Sequence, residues 1–229
     1  MKFEDLNLHP SLLKAVSSQK YITPTAIQQK AIPLVLNRED VLGSAQTGTG
    51  KTAAFALPIL HHLIKEKQNN NKRKIRALVV TPTRELAIQI GENFTAYSKY
   101  NDIKNTVIFG GVKQLKQTST LKNGVDVLVA TPGRLLDLMG QGYISLKDIS
   151  YFVLDEADRM LDMGFIHDIK KILEKLPKQR QSLFFSATMP NNIIALSNTI
   201  LSNPKKVAVH QTSTTAETIQ QSIYYTNKS

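Results

Sequence analysis

The stretch "AQTGTGKT", from Ala45 to Thr52, joins two segments of different periodicity. The apolar run Val41–Ala45 predicts a strand, whereas Lys51–Lys65 has the amphipathic pattern of a helix. Gly48 and Gly50 allow the backbone between them to turn its N–H groups toward an anion at the helix N-terminus. A glycine-rich turn with a chance Lys-Thr pair is the alternative. We interpret the stretch as a phosphate-binding loop, called the P-loop below.

Two side chains at the end of the P-loop have specific chemistry. The Lys51 ammonium can reach the outer phosphates of a nucleotide, and the Thr52 hydroxyl can hold Mg²⁺. Ala45 stands at the first position, where the usual pattern has glycine, and the start of the loop tolerates this change. The predicted cofactor-binding residues of the loop are Ala45, Gln46, Thr47, Gly48, Thr49, Gly50, Lys51 and Thr52.

Short β-branched runs alternate with longer amphipathic segments along the rest of the chain. This alternation predicts an α/β fold, with a mostly parallel sheet, helices on both faces and ligands at the carboxyl ends of the strands. Further helices are predicted at Arg84–Lys99, Arg134–Gly140 and Phe165–Leu176. The predicted strands are Val41–Ala45, Arg76–Thr81, Thr106–Phe109, Asp126–Ala130, Ser150–Leu154, Leu183–Ser186 and Lys206–Val209.

The segment "YFVLDEADRM", from Tyr151 to Met160, places three carboxylates directly after an apolar strand. Unpaired negative charge is costly at the end of a buried strand, so these acids need a partner. Mg²⁺ that arrives with a nucleotide prefers one or two carboxylates, which suits Asp155, and Glu156 can orient an attacking water. Capping of the next helix is the alternative, and it accounts for one carboxylate, Asp155 or Asp158, but not for the cluster.

The composition limits the class of protein. The formal charge of +11 favours polyanionic partners such as nucleic acid. Much of the basic excess lies in Lys65–Arg76, which is either a solvated connector or a binding patch. There is no cysteine, no run long enough to span a bilayer and no secretory signal at the amino terminus. We therefore expect a cytoplasmic protein without a membrane segment.

The acidic cluster Asp155–Asp158 spells "DEAD", and here the chain resembles the DEAD-box family of ATP-dependent RNA helicases. The resemblance is to the first RecA-like domain of that family, a P-loop fold. It runs from Phe3 to about Val209, and the compact start resembles bacterial members. The motifs occur in family order: "YITPTAIQ" (Tyr21–Gln28), "AQTGTGKT", "PTRELA" (Pro82–Ala87), Gly110-Gly111, "TPGR" (Thr131–Arg134), "DEAD" and "SAT" (Ser186–Thr188).

The resemblance implies that the cofactor is ATP with Mg²⁺. Gln28 would hydrogen-bond the adenine edge, and Phe3 would stack on the base. By spacing alone, Thr25 and Gln28 form a helix capping box, and the two roles can coexist. Lys20 stands where the family usually has glycine. The predicted residues on the base side are Phe3, Tyr21, Thr23 and Gln28, and the predicted metal ligands are Thr52 and Asp155.

Helix starts and a glycine pair suit an RNA backbone. Thr131 is a predicted N-cap and Pro132 the first helical residue, so helix initiation alone can explain "TPGR". Pro82 is predicted to open a helix with Arg84 near its start, and Gly110-Gly111 allows close approach of a sugar-phosphate chain. The resemblance implies that these segments bind RNA. The predicted contacts are Pro82, Thr83, Arg84, Gly110, Gly111, Thr131, Pro132, Gly133, Arg134 and Gly164.

The hydroxyls of "SAT" have two interpretations. Ser186 and Thr188 can cap the helix that Pro190 is predicted to begin. The resemblance implies instead that they hydrogen-bond the acids, Asp158 in particular, and couple the nucleotide state to RNA binding. The predicted catalytic residues are Lys51, Asp155, Glu156, Asp158, Ser186 and Thr188.

We predict one RecA-like domain over residues 1–209 and a polar linker over 210–229 toward an absent second RecA-like domain. The last arginine is Arg180. The arginine finger that the family carries on its second domain is therefore missing, and such a finger contributes about 10³–10⁵ in rate to related phosphoryl transfers. The expectation is a monomeric half of a helicase, which binds ATP and RNA but turns over slowly alone.

Three other functions remain open. An ATP-gated RNA clamp would carry the same motifs without productive unwinding. A P-loop kinase that acts on small molecules would not explain why the chain has the motifs "TPGR" and "PTREL". A DNA motor of the same superfamily fits the "DEAD" spelling less well.

Overall fold

The fold is built on seven short parallel strands, within the residues that the computed structural model describes, 1–66 and 73–209. In chain order they are β1 (Val41–Ser44), β2 (Ala77–Val80), β3 (Asn105–Ile108), β4 (Val127–Ala130), β5 (Tyr151–Leu154), β6 (Gln181–Ser186) and β7 (Lys205–Ala208). Their order across the sheet is β3-β4-β2-β5-β6-β1-β7. All seven predicted strands are confirmed to within two residues at each end.

Helices occupy most of the connections between the strands. A short 3₁₀ helix (Phe3–Leu6) precedes them. The α-helices of the described ranges are α1 (Pro10–Ser18), α2 (Ala26–Leu36), α3 (Lys51–Lys65), α4 (Arg84–Tyr97), α5 (Leu115–Asn123), α6 (Pro132–Gly140), α7 (Ala157–Asp162), α8 (Ile166–Leu173) and α9 (Asn191–Ile200).

Two apolar clusters lie on the two faces of the sheet, which confirms the predicted layers. Residues of α1–α4 form the first cluster, where Phe55 packs against Phe94 and Phe185 with ring centroids 6.3 and 5.7 Å apart. Residues of α5–α9 form the second, which includes Phe152 and Phe184. Phe184 and Phe185 face opposite clusters because side chains alternate along a strand. The central strands are buried on both faces, as their continuous apolar runs indicate.

The helix start predicted at Pro132 is confirmed, and the one predicted at Pro82 is not. Helix α6 begins at Pro132 with Thr131 as its N-cap, as predicted. The prediction that Pro82 opens a helix is wrong, because α4 begins at Arg84 and its N-cap is Thr83. The Thr83 hydroxyl accepts a hydrogen bond from the Leu86 amide at 3.4 Å and so satisfies an N–H group of the first turn.

The described part of the basic segment forms ion pairs within the protein. Arg73 and Arg76 both pair with the buried Asp126 carboxylate, at 2.6 and 3.3 Å. Arg76 is itself buried and also donates to the carbonyls of Leu63 and Glu66. These arginines therefore stabilise the end of the sheet at which β2 and β4 begin. Residues 67–72 lie outside the described ranges.

The predicted linker, residues 210–229, also lies outside the described residues, so that prediction stays open. None of the helices within residues 1–66 and 73–209 has the length and apolar character of a membrane span.

Candidate active site

A cleft of about 510 Å³ opens at the carboxyl ends of the central strands. The P-loop follows β1, the acidic cluster follows β5, and the segment before α2 closes the third side. The sheet thus brings together residues more than a hundred positions apart in sequence. The predicted residues that line the cleft are Phe3, Tyr21, Thr23, Gln28, Thr47, Gly48, Gly50, Lys51, Thr52, Asp155 and Glu156.

The P-loop backbone has the conformation that its glycines predict. Gly48 and Gly50 have φ values of 84° and 91°, in the left-handed region that favours glycine. The Thr49 hydroxyl donates to the carbonyl of Gln46 at 2.7 Å and closes the turn. Gly50 is the N-cap of α3, so the loop leads directly to the positive end of a helix.

Lys51 lies at the base of the loop and is only 6% exposed. Its ammonium donates to the carbonyl of Ala45 at 3.1 Å and lies 3.8 Å from Asp155 Oδ1. Ala45 contributes its backbone here, which explains why alanine can replace the usual glycine. The ammonium and the carboxylate share one side of the cleft, as phosphate and metal chemistry requires.

Asp155 is 4% exposed, and its Oδ1 accepts a hydrogen bond from the Glu156 amide at 3.1 Å. Burial raises the pKa of Asp155 from 3.8 to about 6, although the Lys51 ammonium opposes the shift. Burial thus disfavours the ionised form, and a cation in the cleft would stabilise it.

Glu156 connects the acidic cluster to the P-loop. Its Oε1 accepts from the Thr47 hydroxyl at 3.0 Å, and its φ of 55° is uncommon for a residue other than glycine. Glu156 is the N-cap of α7, yet its side chain makes no capping hydrogen bond. The helix-capping alternative therefore does not explain this carboxylate.

Asp158 makes the contacts predicted for the "SAT" segment. Its Oδ2 accepts from the amide and hydroxyl of Thr188, both at 2.9 Å, and its amide donates to Ser186 Oγ at 3.2 Å. Partial burial raises the pKa of Asp158, but the hydrogen bonds from Thr188 and Ser186 outweigh it and hold the pKa below its usual value. Helix α9 begins at Asn191, and neither hydroxyl caps it, so the capping alternative is wrong here.

A second groove, of about 420 Å³, lies at the same edge of the sheet; we call it the Arg84 groove. It contains six of the predicted RNA contacts. Thr83, Gly111, Pro132 and Gly164 are not part of its lining, and Pro132 is buried. The lining residues are Pro82, Arg84, Phe109, Gly110, Thr131, Gly133, Arg134, Asp137 and Phe165.

The two arginines of the Arg84 groove differ in availability. Arg84 is exposed, its guanidinium lies 4.8 Å from the centre of the Phe109 ring, and it forms no ion pair within the described residues. The Arg134 side chain is 12% exposed and pairs with Asp137 at 3.4 Å. A phosphate contact by Arg134 would have to compete with these internal bonds, whereas Arg84 is free to make one.

The comparison with protein families agrees with the geometry. The family model described as DEAD/DEAH box helicase matches residues 25–196. The chain belongs to this family.

Relatives of this DEAD-box chain are longer. ATP-dependent RNA helicase DeaD of Buchnera aphidicola subsp. Schizaphis graminum is 44% identical over 97% of the chain, which spans 36% of that protein. DEAD-box ATP-dependent RNA helicase RhpA of Helicobacter pylori is 45% identical over 99% of the chain, which spans 45% of that protein. A DEAD box protein from the hyperthermophile Methanococcus jannaschii has a crystal structure that matches with a TM-score of 0.84 and 41% identity, over 91% of the chain and 56% of that protein.

In this DEAD-box domain, Gln28 forms the predicted capping box and also contacts the P-loop. Its Oε1 accepts from the Thr25 amide at 2.9 Å, and its Nε2 donates to the Gly50 carbonyl at 3.1 Å. A primary amide has two N–H groups and two acceptor lone pairs, so one of each remains. The capping role is confirmed, and the adenine contact stays a prediction.

The Phe3 ring, on which the adenine base was predicted to stack, is buried in the structure. Phe3 is 2% exposed and packs in the first apolar cluster, whereas Tyr21 is 42% exposed. Stacking of a base on Phe3 stays a prediction. Lys20 adopts a φ of 60°, so lysine occupies the left-handed conformation that the glycine usual in DEAD-box proteins would adopt easily.

The residues around Asp155 fit Mg²⁺. No group of three His, Cys, Asp or Glu side chains in the described ranges could hold a metal by itself. Mg²⁺ does not need one, because it takes one or two carboxylates and completes its shell with phosphate and water oxygens. Thr52 and Asp155 both line the cleft beside Lys51, where that shell would form.

Sequence reasoning missed one wall of the cleft. Leu86, Gln89, Asn93 and Tyr97 of α4 line it, together with the exposed Ile22. The three- and four-residue spacing of the α4 residues is that of one helix face, and it follows directly on "PTREL". That spacing was the available signal.

Proposed function

We propose that this chain is the ATP-binding and RNA-binding amino-terminal RecA-like domain of an ATP-dependent RNA helicase. The main support is that Lys51, Asp155 and Glu156 come from distant segments and meet in one cleft. The cleft lies at the carboxyl ends of the strands, as does the Arg84 groove. Residues 1–209 form the domain, and residues 210–229 lead to a second RecA-like domain of a longer, cytoplasmic protein. The chain alone is a monomer.

Each polar group in the cleft has a role in phosphate chemistry. The backbone amides around Gly48 and Gly50 and the Lys51 ammonium bind the phosphates. Glu156 orients the attacking water and accepts its proton. Mg²⁺, held by Thr52 and Asp155, supplies charge neutralisation at the outer phosphates when bound.

Asp158 joins the acidic cluster to the "SAT" segment. Its hydrogen bonds to Ser186 and Thr188 join the segment after the catalytic acids to the segment after β6. A shift of the acids on nucleotide binding therefore moves the "SAT" segment. In the longer protein, ATP and RNA would bring the two domains together, separate RNA strands, and release them after hydrolysis.

RNA is the polyanion that the Arg84 groove suits best. The groove offers an exposed arginine, two glycines and the start of α6, which suit phosphate and sugar and do not read bases. An ATP-gated clamp has the same features, and strand displacement by the longer protein distinguishes it from a helicase.

Replacing Arg84 with alanine should weaken binding of a fluorescent oligouridylate by about fivefold to tenfold at low salt and lower the salt slope by about one. The reason is that Arg84 is the groove's unpaired cation. Lys74→Ala is the matched control, because Lys74 pairs with Asp148 at 2.8 Å outside the groove. Fluorescence anisotropy measures both. Equal affinity of Arg84→Ala and the parent chain would contradict the RNA-binding surface, and a P-loop enzyme of small molecules would then fit better.

A further inference from the structure

Gln117 holds the backbone at the end of β3. Its Nε2 donates to the Phe109 carbonyl at 3.1 Å, and its Oε1 accepts from the Phe109 amide at 3.3 Å. Strand β3 lies at the edge of the described sheet and ends at Ile108. The Gln117 amide therefore satisfies Phe109 as a neighbouring strand would, with one donor and one acceptor.

Arg134 extends this contact to the glycine pair. One of its amino groups donates to Gln117 Oε1 at 3.3 Å and the other to the Val112 carbonyl at 3.2 Å. The segment Phe109–Val112, which contains Gly110-Gly111, is thus held at its first residue by Gln117 and at its last by Arg134. Gly111 has a φ of 78°, so without these contacts the segment has wide conformational freedom.

The same contact supports Arg84. The Arg84 guanidinium lies over the Phe109 ring, and the Phe109 backbone is held by Gln117. Gln117 itself is 8% exposed and reaches this place from α5, so it is fixed by burial. One glutamine therefore sets the position of both the glycine pair and the exposed arginine.

We infer that Gln117 is a positioning residue for RNA: it orders Phe109–Val112 and, through Phe109, Arg84, in the shape that accepts a sugar-phosphate backbone. This inference rests on the proposed function of the Arg84 groove. Gln117 does not touch RNA itself, and Arg134 acts beside it mainly by holding the same segment.

Gln117→Met tests the inference, because methionine keeps the length of the side chain and removes both hydrogen-bonding groups. Oligouridylate affinity should fall about tenfold. The salt slope should fall by less than the one unit expected for Arg84→Ala, since the Arg84 cation is kept and only its placement changes. Mg-ADP affinity should stay unchanged, and amide hydrogen exchange should accelerate at residues 110–112.

Two further variants keep the test decisive. Gln114→Met removes the amide of the N-cap of α5, which pairs with Gln141 on the surface, and should change neither RNA affinity nor exchange. Gln117→Glu keeps the acceptor for Phe109 and Arg134, replaces the donor with a second carboxylate oxygen and adds a negative charge. Its amide exchange rates, rather than its RNA affinity, are therefore compared, and they should lie between those of the parent and Gln117→Met.

The RNA affinities of Gln117→Met and of the parent chain test the positioning role and the proposed function separately. Parent affinity in Gln117→Met, or a smaller folded fraction with an unchanged dissociation constant, would overturn the positioning role alone. Failure of the parent chain to bind RNA while it binds Mg-ADP would overturn both.

Discussion

Replacing Gly50 with alanine should lower the affinity for Mg-ADP at least about 100-fold. A Cβ at this position would lie 2.5 Å from Gln28 Nε2 and 2.9 Å from Thr25 Oγ1, and the φ of 91° is strained for any residue with a side chain. Gln28 is buried and held by the Thr25 amide, so relief of the clash would move the P-loop away from α2. The phosphate-facing amides and the Gly50–Gln28 hydrogen bond would then be lost together. Isothermal titration calorimetry measures the effect.

Gly142→Ala is the control for strain without a clash. Gly142 has a φ of 78°, and no atom lies within 4 Å of the Cβ that alanine would add. Its replacement should cost about 1 kcal/mol of unfolding free energy and leave ADP binding unchanged. Parent-like ADP affinity in Gly50→Ala would mean that the P-loop does not bind nucleotide in this conformation.

Replacing Asp126 with asparagine should lower the free energy of unfolding by about 3–5 kcal/mol. Asp126 is 5% exposed and pairs with Arg73 and Arg76, and Oδ2 also accepts from the Lys104 amide at 2.9 Å. Asparagine keeps the shape but removes the charge, so Arg76 would remain buried without a counter-charge. Urea unfolding followed by circular dichroism measures the loss.

Asp148→Asn serves as the matched comparison. Asp148 pairs with Lys74, and both side chains are more than two-fifths exposed, so the change should cost less than about 1 kcal/mol. If Asp126→Asn costs no more than Asp148→Asn, the buried pairs do not stabilise the fold as described.

The parts of the fold that local physics determines could be predicted from the sequence. Strands such as Tyr151–Leu154 are buried on both faces and therefore have uninterrupted apolar runs. The P-loop glycines were predictable because a left-handed backbone excludes most other residues. Helix α5 was not predicted, since the side chains it buries include the polar Gln117 and Thr118, and it lacks the apolar stripe by which a helix is recognised.

The partners of charged side chains could not be predicted, because they come from distant segments. Arg73 and Arg76 belong to a segment predicted to be either a solvated connector or a binding patch, but they pair with Asp126, about fifty residues away. Arg134 resembled a phosphate ligand, yet its guanidinium contacts Gln117, Val112 and Asp137. The sequence shows where a basic residue is. Only the folded structure shows whether an acidic side chain or a carbonyl group already pairs with it.

In the proposed function, the cleft binds an adenine nucleotide through the P-loop and Gln28. Parallel calorimetric titrations of the chain with Mg-ADP and Mg-GDP test it most directly. We expect clear binding of ADP and at least about tenfold weaker binding of GDP, because the Gln28 amide offers a donor and an acceptor that match adenine. Equal binding of the two would contradict the role of Gln28, and no binding of either would contradict the nucleotide site itself.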